Sequence, residues 1–80
     1  PEPFYTNYNG FTTAFDVSII PITTKAEEGF HLPSKEDILA CVTDKTRAFM
    51  ISNPGNPTGV VYTKQELDTL AEVAKEKDLF

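Results

Sequence analysis

The sequence contains a single cysteine, no tryptophan and few basic residues. Cys41 cannot form a disulfide within the chain, which fits a reducing compartment and predicts a cytoplasmic protein. Seven Lys and Arg stand against twelve Asp and Glu, for a net charge of −5, so there is no basic face for a nucleic-acid backbone. No apolar run approaches the roughly 20 residues that a membrane-spanning helix needs. We therefore predict neither a nucleic-acid partner nor a membrane partner.

Three segments carry helix signals. Aromatic residues recur at helical spacing near the start and predict a helix with an aromatic core face, although Asn9-Gly10 favours a hairpin turn. These aromatic residues are Phe4, Tyr8, Phe11 and Phe15. Ser34 precedes a short apolar stretch as a candidate N-cap, and Thr63-Lys64-Gln65-Glu66 is a capping box. The pattern after Thr63 predicts an amphipathic helix to about Lys77.

Two strands that are covered on both faces are predicted at residues 17–22 and 48–52, because the side chains there are nearly all apolar. The apolar pair at residues 79–80 indicates the start of a third strand. Alternation of helices and strands indicates an α/β fold, with part of a mostly parallel sheet and flanking helices. Two full strands cannot form such a sheet alone. Residues 1–80 are therefore predicted to be part of a larger domain and not a complete one.

The segment Ser52-Asn53-Pro54-Gly55-Asn56-Pro57-Thr58-Gly59 follows the second predicted strand. Ligands of open α/β sheets bind beyond the carboxyl ends of strands, so this loop is a candidate site. Its two Asn-Pro steps restrict the backbone and favour a rigidly held side-chain amide. The same composition also suits a plain strand-to-helix turn. A phosphate-binding P-loop fits poorly, because no Gly-Lys-Ser/Thr is present.

Residues 53–59 resemble the Asn-Pro-x-Asn-Pro-Thr-Gly segment of class I and II aminotransferases, which are pyridoxal-phosphate-dependent enzymes of fold type I. Pro3-Phe4-Tyr5-Thr6-Asn7-Tyr8 is similar to the family's Pro-x-aromatic-x-x-Tyr segment, and the other elements follow in the family's order. The resemblance implies that the parent enzyme binds pyridoxal 5'-phosphate and transfers an amino group between an amino acid and a 2-oxo acid. It also implies that residues 1–80 belong to the large cofactor-binding domain of a homodimer.

The resemblance assigns roles to four residues. Asn56 matches the asparagine that bonds to the phenolic oxygen of the pyridine ring, and Tyr5 matches the aromatic residue that stacks on that ring. Pro3 and Pro57 match supporting prolines, of which Pro57 resembles the family's cis-proline. No residue of these 80 matches the Schiff-base lysine, which is expected downstream, and no metal site is predicted.

Three alternatives remain open from the sequence. The 80 residues alone could be a catalytically inactive structural piece, because the Schiff-base lysine would lie outside them. They could instead form a small stand-alone α/β module. A pyridoxal-phosphate-dependent lyase or synthase of the same fold would share the same loop. His31, the only histidine, is predicted to be an exposed loop residue without a catalytic role.

Overall fold

The computed structural model describes the backbone of residues 1–80 and every side chain except those of Phe11 and Thr13. Its α-helices are α1 (Asn7–Ala14), α2 (Lys35–Cys41) and α3 (Lys64–Lys77). A single 3₁₀ turn, Ala26–Glu28, precedes α2. None of the helices in this described part is long and apolar enough to cross a membrane.

Helix α1 forms where the aromatic spacing predicts it, so the helix and not the hairpin occupies Asn9-Gly10. The predicted core position of Phe15 is wrong, because its side chain is 81% exposed. Helix α1 ends at Ala14, so Phe15 lies beyond the last turn and no longer follows the helical spacing. Phe4 and Tyr8 are half-buried, whereas the predicted core position of Phe11 lies outside the described side chains.

Helices α2 and α3 begin with the predicted caps. Ser34 Oγ accepts a hydrogen bond from the Asp37 N–H at 3.3 Å. Both halves of the capping box are present at α3: Thr63 Oγ1 accepts from the Glu66 N–H at 3.1 Å, and Glu66 Oε1 accepts from the Thr63 N–H at 2.9 Å. These bonds satisfy backbone donors that the first helical turn leaves free.

The core lies between α2 and α3. Ile38 of α2 and Val73 of α3 are fully buried, and Leu70 and Ile22 pack against them with 6% and 5% exposure. Partly buried apolar side chains surround this cluster: Leu32, Leu39, Cys41, Val42 and Phe49. The cluster fixes α3 against α2 and so fixes the end of the loop that leads into α3.

Residues 17–22 were predicted to form a strand, and the described backbone does not confirm it. Their parallel pairing with another segment of the described chain is one bridge: the Glu2 N–H donates to the Ile22 oxygen at 2.7 Å, and the Thr24 N–H donates to the Glu2 oxygen at 3.1 Å. Across the described backbone, no ladder longer than one bridge forms. Val17 and Ile20 remain 55% and 53% exposed. An apolar sequence pattern indicates that the segment is buried in the complete fold, whereas a ladder of hydrogen bonds forms only when neighbouring strands are present.

Residues 48–52, the second predicted strand, also lack a ladder. They do make one parallel contact with the third predicted strand. The Phe80 N–H donates to the Arg47 oxygen and the Phe49 N–H donates to the Phe80 oxygen, both at 2.9 Å. One residue that bonds to both neighbours of its partner is the hydrogen-bond pattern of parallel strands. This one contact has the parallel pattern, but the predicted sheet is not confirmed, because the described backbone forms no strand there.

Candidate functional site

The loop of residues 52–59 is closed by its own backbone. The Gly55 N–H donates to the Val60 oxygen at 2.7 Å, and the Gly59 N–H donates to the Gly55 oxygen at 2.8 Å. A Cβ on Gly55 would lie 2.8 Å from Thr58 Oγ1 and 2.9 Å from a Val60 methyl carbon, so only glycine fits this closure without a shift. Gly59 has a φ of 75°, which favours glycine for a second reason.

Asn56 lies at the exposed tip of this loop. Its backbone N–H donates to Ser52 Oγ at 3.1 Å. Its side-chain amide makes no hydrogen bond to any side chain or backbone group that the structure describes. The peptide bonds before Pro54 and Pro57 are both cis. The loop thus presents an amide whose donors and acceptor are available to a ligand.

The segment that carries Tyr5 is an aromatic cluster. The Phe4 and Tyr8 rings stack with centroids 6.0 Å apart, and the Tyr5 and Tyr8 rings meet edge to face at 5.8 Å. Asn7 Nδ2 donates to the Tyr5 hydroxyl at 2.8 Å, and Tyr5 remains 41% exposed. The bond before Pro3 is cis. Tyr5 therefore has an aromatic surface that a flat ligand can cover.

A narrow crevice brings the loop and the aromatic segment together. The residues that line it from these two segments include Pro3, Phe4, Tyr8, Ser52, Gly55 and Asn56. We call it the Asn56 crevice. Neither Tyr5 nor Pro57 lines it; within residues 3–8 the tyrosine that lines it is Tyr8, and the Tyr5 ring lies against the Tyr8 ring. Its volume is about 20 Å³, which is room for roughly one water molecule, so a ring would bind against its mouth.

Tyr62 also lines the Asn56 crevice, and the sequence reasoning missed it. It is 8% exposed, and its backbone N–H donates to Asn53 Oδ1 at 3.1 Å. Burial raises the pKa of the Tyr62 hydroxyl, and the nearby charge of Glu66 raises it further. The sequence carries no signal for this, because Val60, Val61 and Tyr62 are all apolar, and only the structure shows that Val60 and Tyr62 are buried while Val61 is 60% exposed.

His31 has a partner that the sequence did not predict. Its Nδ1 lies 2.8 Å from Glu66 Oε1, and the Leu32 N–H donates to Glu66 Oε2 at 2.6 Å. Burial alone would raise the pKa of Glu66, but hydrogen bonds from Thr63, Leu32 and His31 outweigh burial and lower it. His31 is exposed as predicted, and it acts here as one contact of a structural carboxylate.

The described side chains contain no group of three or more His, Cys, Asp or Glu that could hold a metal ion. The chemistry that the Asn56 crevice offers is instead an amide with open hydrogen-bonding positions beside an aromatic surface. Such a pair suits a flat ligand with a polar substituent on its ring.

Comparison with known proteins identifies the family. The model of the family "Aminotransferase class I and II" matches residues 1–80. The chain is 39% identical over 79 residues to the putative aminotransferase YugH of Bacillus subtilis. It is 38% identical over 80 residues to a probable aspartate/prephenate aminotransferase of Aquifex aeolicus. These alignments cover 99% and 100% of this chain but only 20% of each relative.

Solved structures agree with the sequence relatives. The structure of the Thermus thermophilus aspartate aminotransferase with maleate has a TM-score of 0.91 at 33% identity. An alanine aminotransferase from Pyrococcus furiosus has a TM-score of 0.90 at 33% identity. Both cover 99% of this chain, which spans about a fifth of their length. Because the family match covers every residue of the sequence, the chain belongs to the class I and II aminotransferase family.

Proposed function

We propose that these residues serve a pyridoxal-phosphate-dependent enzyme that transfers an amino group between an amino acid and a 2-oxo acid. In this proposal residues 1–80 are part of its large cofactor-binding domain. Residues 17–22 and 48–52 become strands of a mostly parallel sheet once neighbouring strands cover their edges. The enzyme works in the cytoplasm, as the single Cys41 suggests, and as a homodimer, as its family suggests.

The observation that carries the proposal is the Asn56 crevice. It joins the two segments that resemble the family's cofactor wall, residues 3–8 and residues 52–59, although these segments are more than 40 positions apart in the sequence. The side-chain amide of Asn56 has no hydrogen-bond partner among the described groups, and Tyr5 is 41% exposed. Both are free to bind a ring that lies at the mouth of the crevice.

These residues fit the cofactor by the chemistry that they offer. The Asn56 amide would donate a hydrogen bond to the phenolic oxygen of the ring, and a bond of this kind to a charged oxygen contributes roughly 1.5–3 kcal/mol. Tyr5 would stack on the ring, which would add on the order of 0.5–1.5 kcal/mol. Pro3 and Pro57 shape the backbone beside these two residues. The bound cofactor supplies the electron sink of the reaction.

We assign no catalytic role to a lysine of this chain. Lys64 pairs with Asp68 at 2.8 Å, and Lys35 lies 3.5 Å from Glu72 and 3.7 Å from Glu76. None of the seven cationic residues lines the Asn56 crevice. The proposal therefore requires the Schiff-base lysine to come from residues outside these 80.

An isotope-transfer experiment tests the proposed reaction. The full-length protein that contains these residues is mixed with an ¹⁵N-labelled amino acid, such as aspartate or alanine, and with a 2-oxo acid. We expect the label to appear in the amino acid that derives from the 2-oxo acid. Release of labelled ammonia without that acceptor would instead indicate a lyase, and no movement of the label from any amino acid would contradict the proposal.

The Asn56→Ala variant shows whether the crevice takes part. Loss of transfer in this variant, with transfer retained in Asn9→Ala, would support the proposed role. Asn9 is a matched control because it is an exposed asparagine on α1 that does not line the crevice.

A further inference from the structure

We propose that Ser52 is a positioning residue for Asn56, because its hydroxyl oxygen accepts a hydrogen bond from the Asn56 backbone N–H at 3.1 Å. The inference rests on the proposed function, in which the Asn56 amide binds the cofactor ring. Ser52 is the last residue of the second predicted strand, and Asn56 lies four positions later at the loop tip. This bond therefore ties the loop tip back to the segment from which the loop starts.

The other hydrogen bonds of the loop do not reach Asn56. The backbone groups of Gly55 bond to Val60 and Gly59, and Asn53 Oδ1 accepts from the Tyr62 N–H. These contacts close the loop and hold the segment that follows it. Within the part of the chain that the structure describes, Ser52 is the one hydrogen-bond partner of Asn56.

Asn56 needs such a contact because its side chain has no other support. It is exposed, and its amide is free, so the direction of the amide depends on the backbone of Asn56 itself. Pro57 restricts that backbone on the carboxyl side, because the proline ring excludes helical conformations of the preceding residue. Ser52 restricts it on the amino side through the N–H. The two restraints together fix the residue that presents the amide.

Ser52 is also well placed for this role. It is half-buried, whereas Asn56 is exposed, and both residues line the Asn56 crevice. A half-buried hydroxyl has less freedom than an exposed one, so it is a better anchor for a loop tip. The contact uses the oxygen of Ser52 as an acceptor, which alanine cannot replace and threonine can.

The test is a pH titration of the absorbance of the bound cofactor in the full-length holoenzyme. The variants are Ser52→Ala, Ser52→Thr, Asn56→Ala and the double variant Ser52→Ala/Asn56→Ala. Ser18→Ala is the matched control, because Ser18 is exposed and makes no side-chain hydrogen bond with the described residues. We expect Ser52→Ala to shift the titration in the same direction as Asn56→Ala, by about 0.4 to 1 pH unit, which is the size of one ordinary hydrogen bond. Ser52→Thr, which keeps the hydroxyl acceptor, should give the same titration curve as the wild type.

The double variant distinguishes positioning from direct contact. If Ser52 acts through Asn56, Ser52→Ala adds no further shift to Asn56→Ala, because the two effects are coupled. A full additional shift would mean that Ser52 contacts the cofactor itself, and it would overturn the inference. A wild-type titration in Ser52→Ala, beside a shifted Asn56→Ala, would overturn the inference and leave the proposed function standing. An unshifted Asn56→Ala would overturn both.

A second measurement does not need the cofactor. Hydrogen exchange of the Asn56 backbone N–H in the cofactor-free full-length protein reports directly on its bond to Ser52. We expect the Asn56 backbone N–H to exchange about two- to tenfold faster in Ser52→Ala than in the wild type and in Ser18→Ala. Equal exchange rates in a folded Ser52→Ala protein would contradict the positioning role.

Discussion

At the scale of single residues, Glu66 shows how one side chain joins distant parts of the chain. Its carboxylate completes the cap of α3 and also bonds to His31 and to the Leu32 N–H, which lie about 35 positions earlier. It therefore fixes the connection before α2 against the start of α3. The side chain of Glu66 is only 15% exposed, and its bond to the Leu32 N–H is partly buried, whereas its partner His31 is 45% exposed.

Acid conditions should release this connection. The folded-state pKa of Glu66 is lowered from an ordinary value of 4.5. Ionised Glu66 therefore stabilises the folded state above about pH 4.5, and this stabilisation is lost as the pH falls through the lower, folded-state pKa. We expect the protection factor of the Leu32 amide to decrease over that acid range, as measured by hydrogen exchange in the full-length protein.

Two variants control that measurement. Glu66→Gln should already have weak Leu32 protection at neutral pH and no further acid decrease, because glutamine does not ionise. Glu27→Gln, at an exposed glutamate of the 3₁₀ turn, should follow the wild type. Constant Leu32 protection throughout the acid range in the wild-type protein would contradict this account of Glu66.

The residue scale is also where sequence reasoning missed most. Ser34 and Thr63 were predicted as caps because a cap depends on residues three positions apart. The contact of His31 with Glu66 joins residues 35 positions apart, and no local pattern reports it. Phe15 continued the aromatic spacing but lies past the end of α1 and is exposed. The lining of the Asn56 crevice by Tyr8 and Tyr62 depends on the same long-range packing.

At the scale of elements, α3 is the best-defined helix of the chain. It has a complete capping box at its start and Lys75 and Lys77 in its last turn, where positive charge suits the helix dipole. Its apolar face places Leu70 and Val73 in the core. Its first turn directly follows residues 60–62, which lead out of the Asn56 loop. The stability of its N-terminus therefore bears on the position of that loop.

Thr63→Ala should weaken the start of α3. The variant loses the side-chain acceptor for the Glu66 N–H, and loss of such a cap costs about 1 kcal/mol. We expect a lower urea midpoint for the full-length protein. Thr69→Ala is the matched control within the same helix, since Thr69 Oγ1 bonds only to the backbone oxygen of Gln65 and alanine favours a helix interior. A Thr63→Ala protein as stable as Thr69→Ala would contradict the importance of the cap.

The strands were harder to predict as formed elements than the helices. Residues 17–22 and 48–52 have the apolar pattern of strands that are buried on both faces, but each makes only one parallel contact in the described chain. A helix satisfies its own backbone, whereas a strand depends on partners that its own sequence does not specify. The sequence therefore predicted where extended, apolar segments lie and not whether they pair.

At the scale of the whole molecule, the chain exposes much of its apolar surface. The exposed large apolar side chains include Phe15, Val17, Ile20, Met50, Val61 and Phe80. Four of them lie in or beside the segments predicted to be strands. An apolar segment patterned for burial on both faces needs other protein to cover it. This agrees with the proposal that the 80 residues work inside a larger domain.

The isolated 80-residue chain should therefore fold poorly and lack a specific reaction with the cofactor. We expect it to bind a dye for exposed apolar surface and to unfold without a sharp transition. Borohydride reduction with pyridoxal phosphate should give adducts spread over several lysines, because each of them lies away from the crevice. Cooperative unfolding as a monomer would instead favour the stand-alone module, and one defined adduct would contradict the absence of a Schiff-base lysine.

The central claim is that the Asn56 amide bonds to the phenolic oxygen of the cofactor ring. The most direct measurement is the pH titration of the cofactor's absorbance in the full-length Asn56→Ala variant, with Asn9→Ala as control. Such a bond would stabilise the form of the cofactor that has lost its titrating proton, because the phenolic oxygen of that form carries an uncompensated negative charge. Its loss should raise the cofactor's pKa by about one to two units, while Asn9→Ala keeps the wild-type value. An unchanged titration in a folded, cofactor-loaded Asn56→Ala protein would contradict the claim.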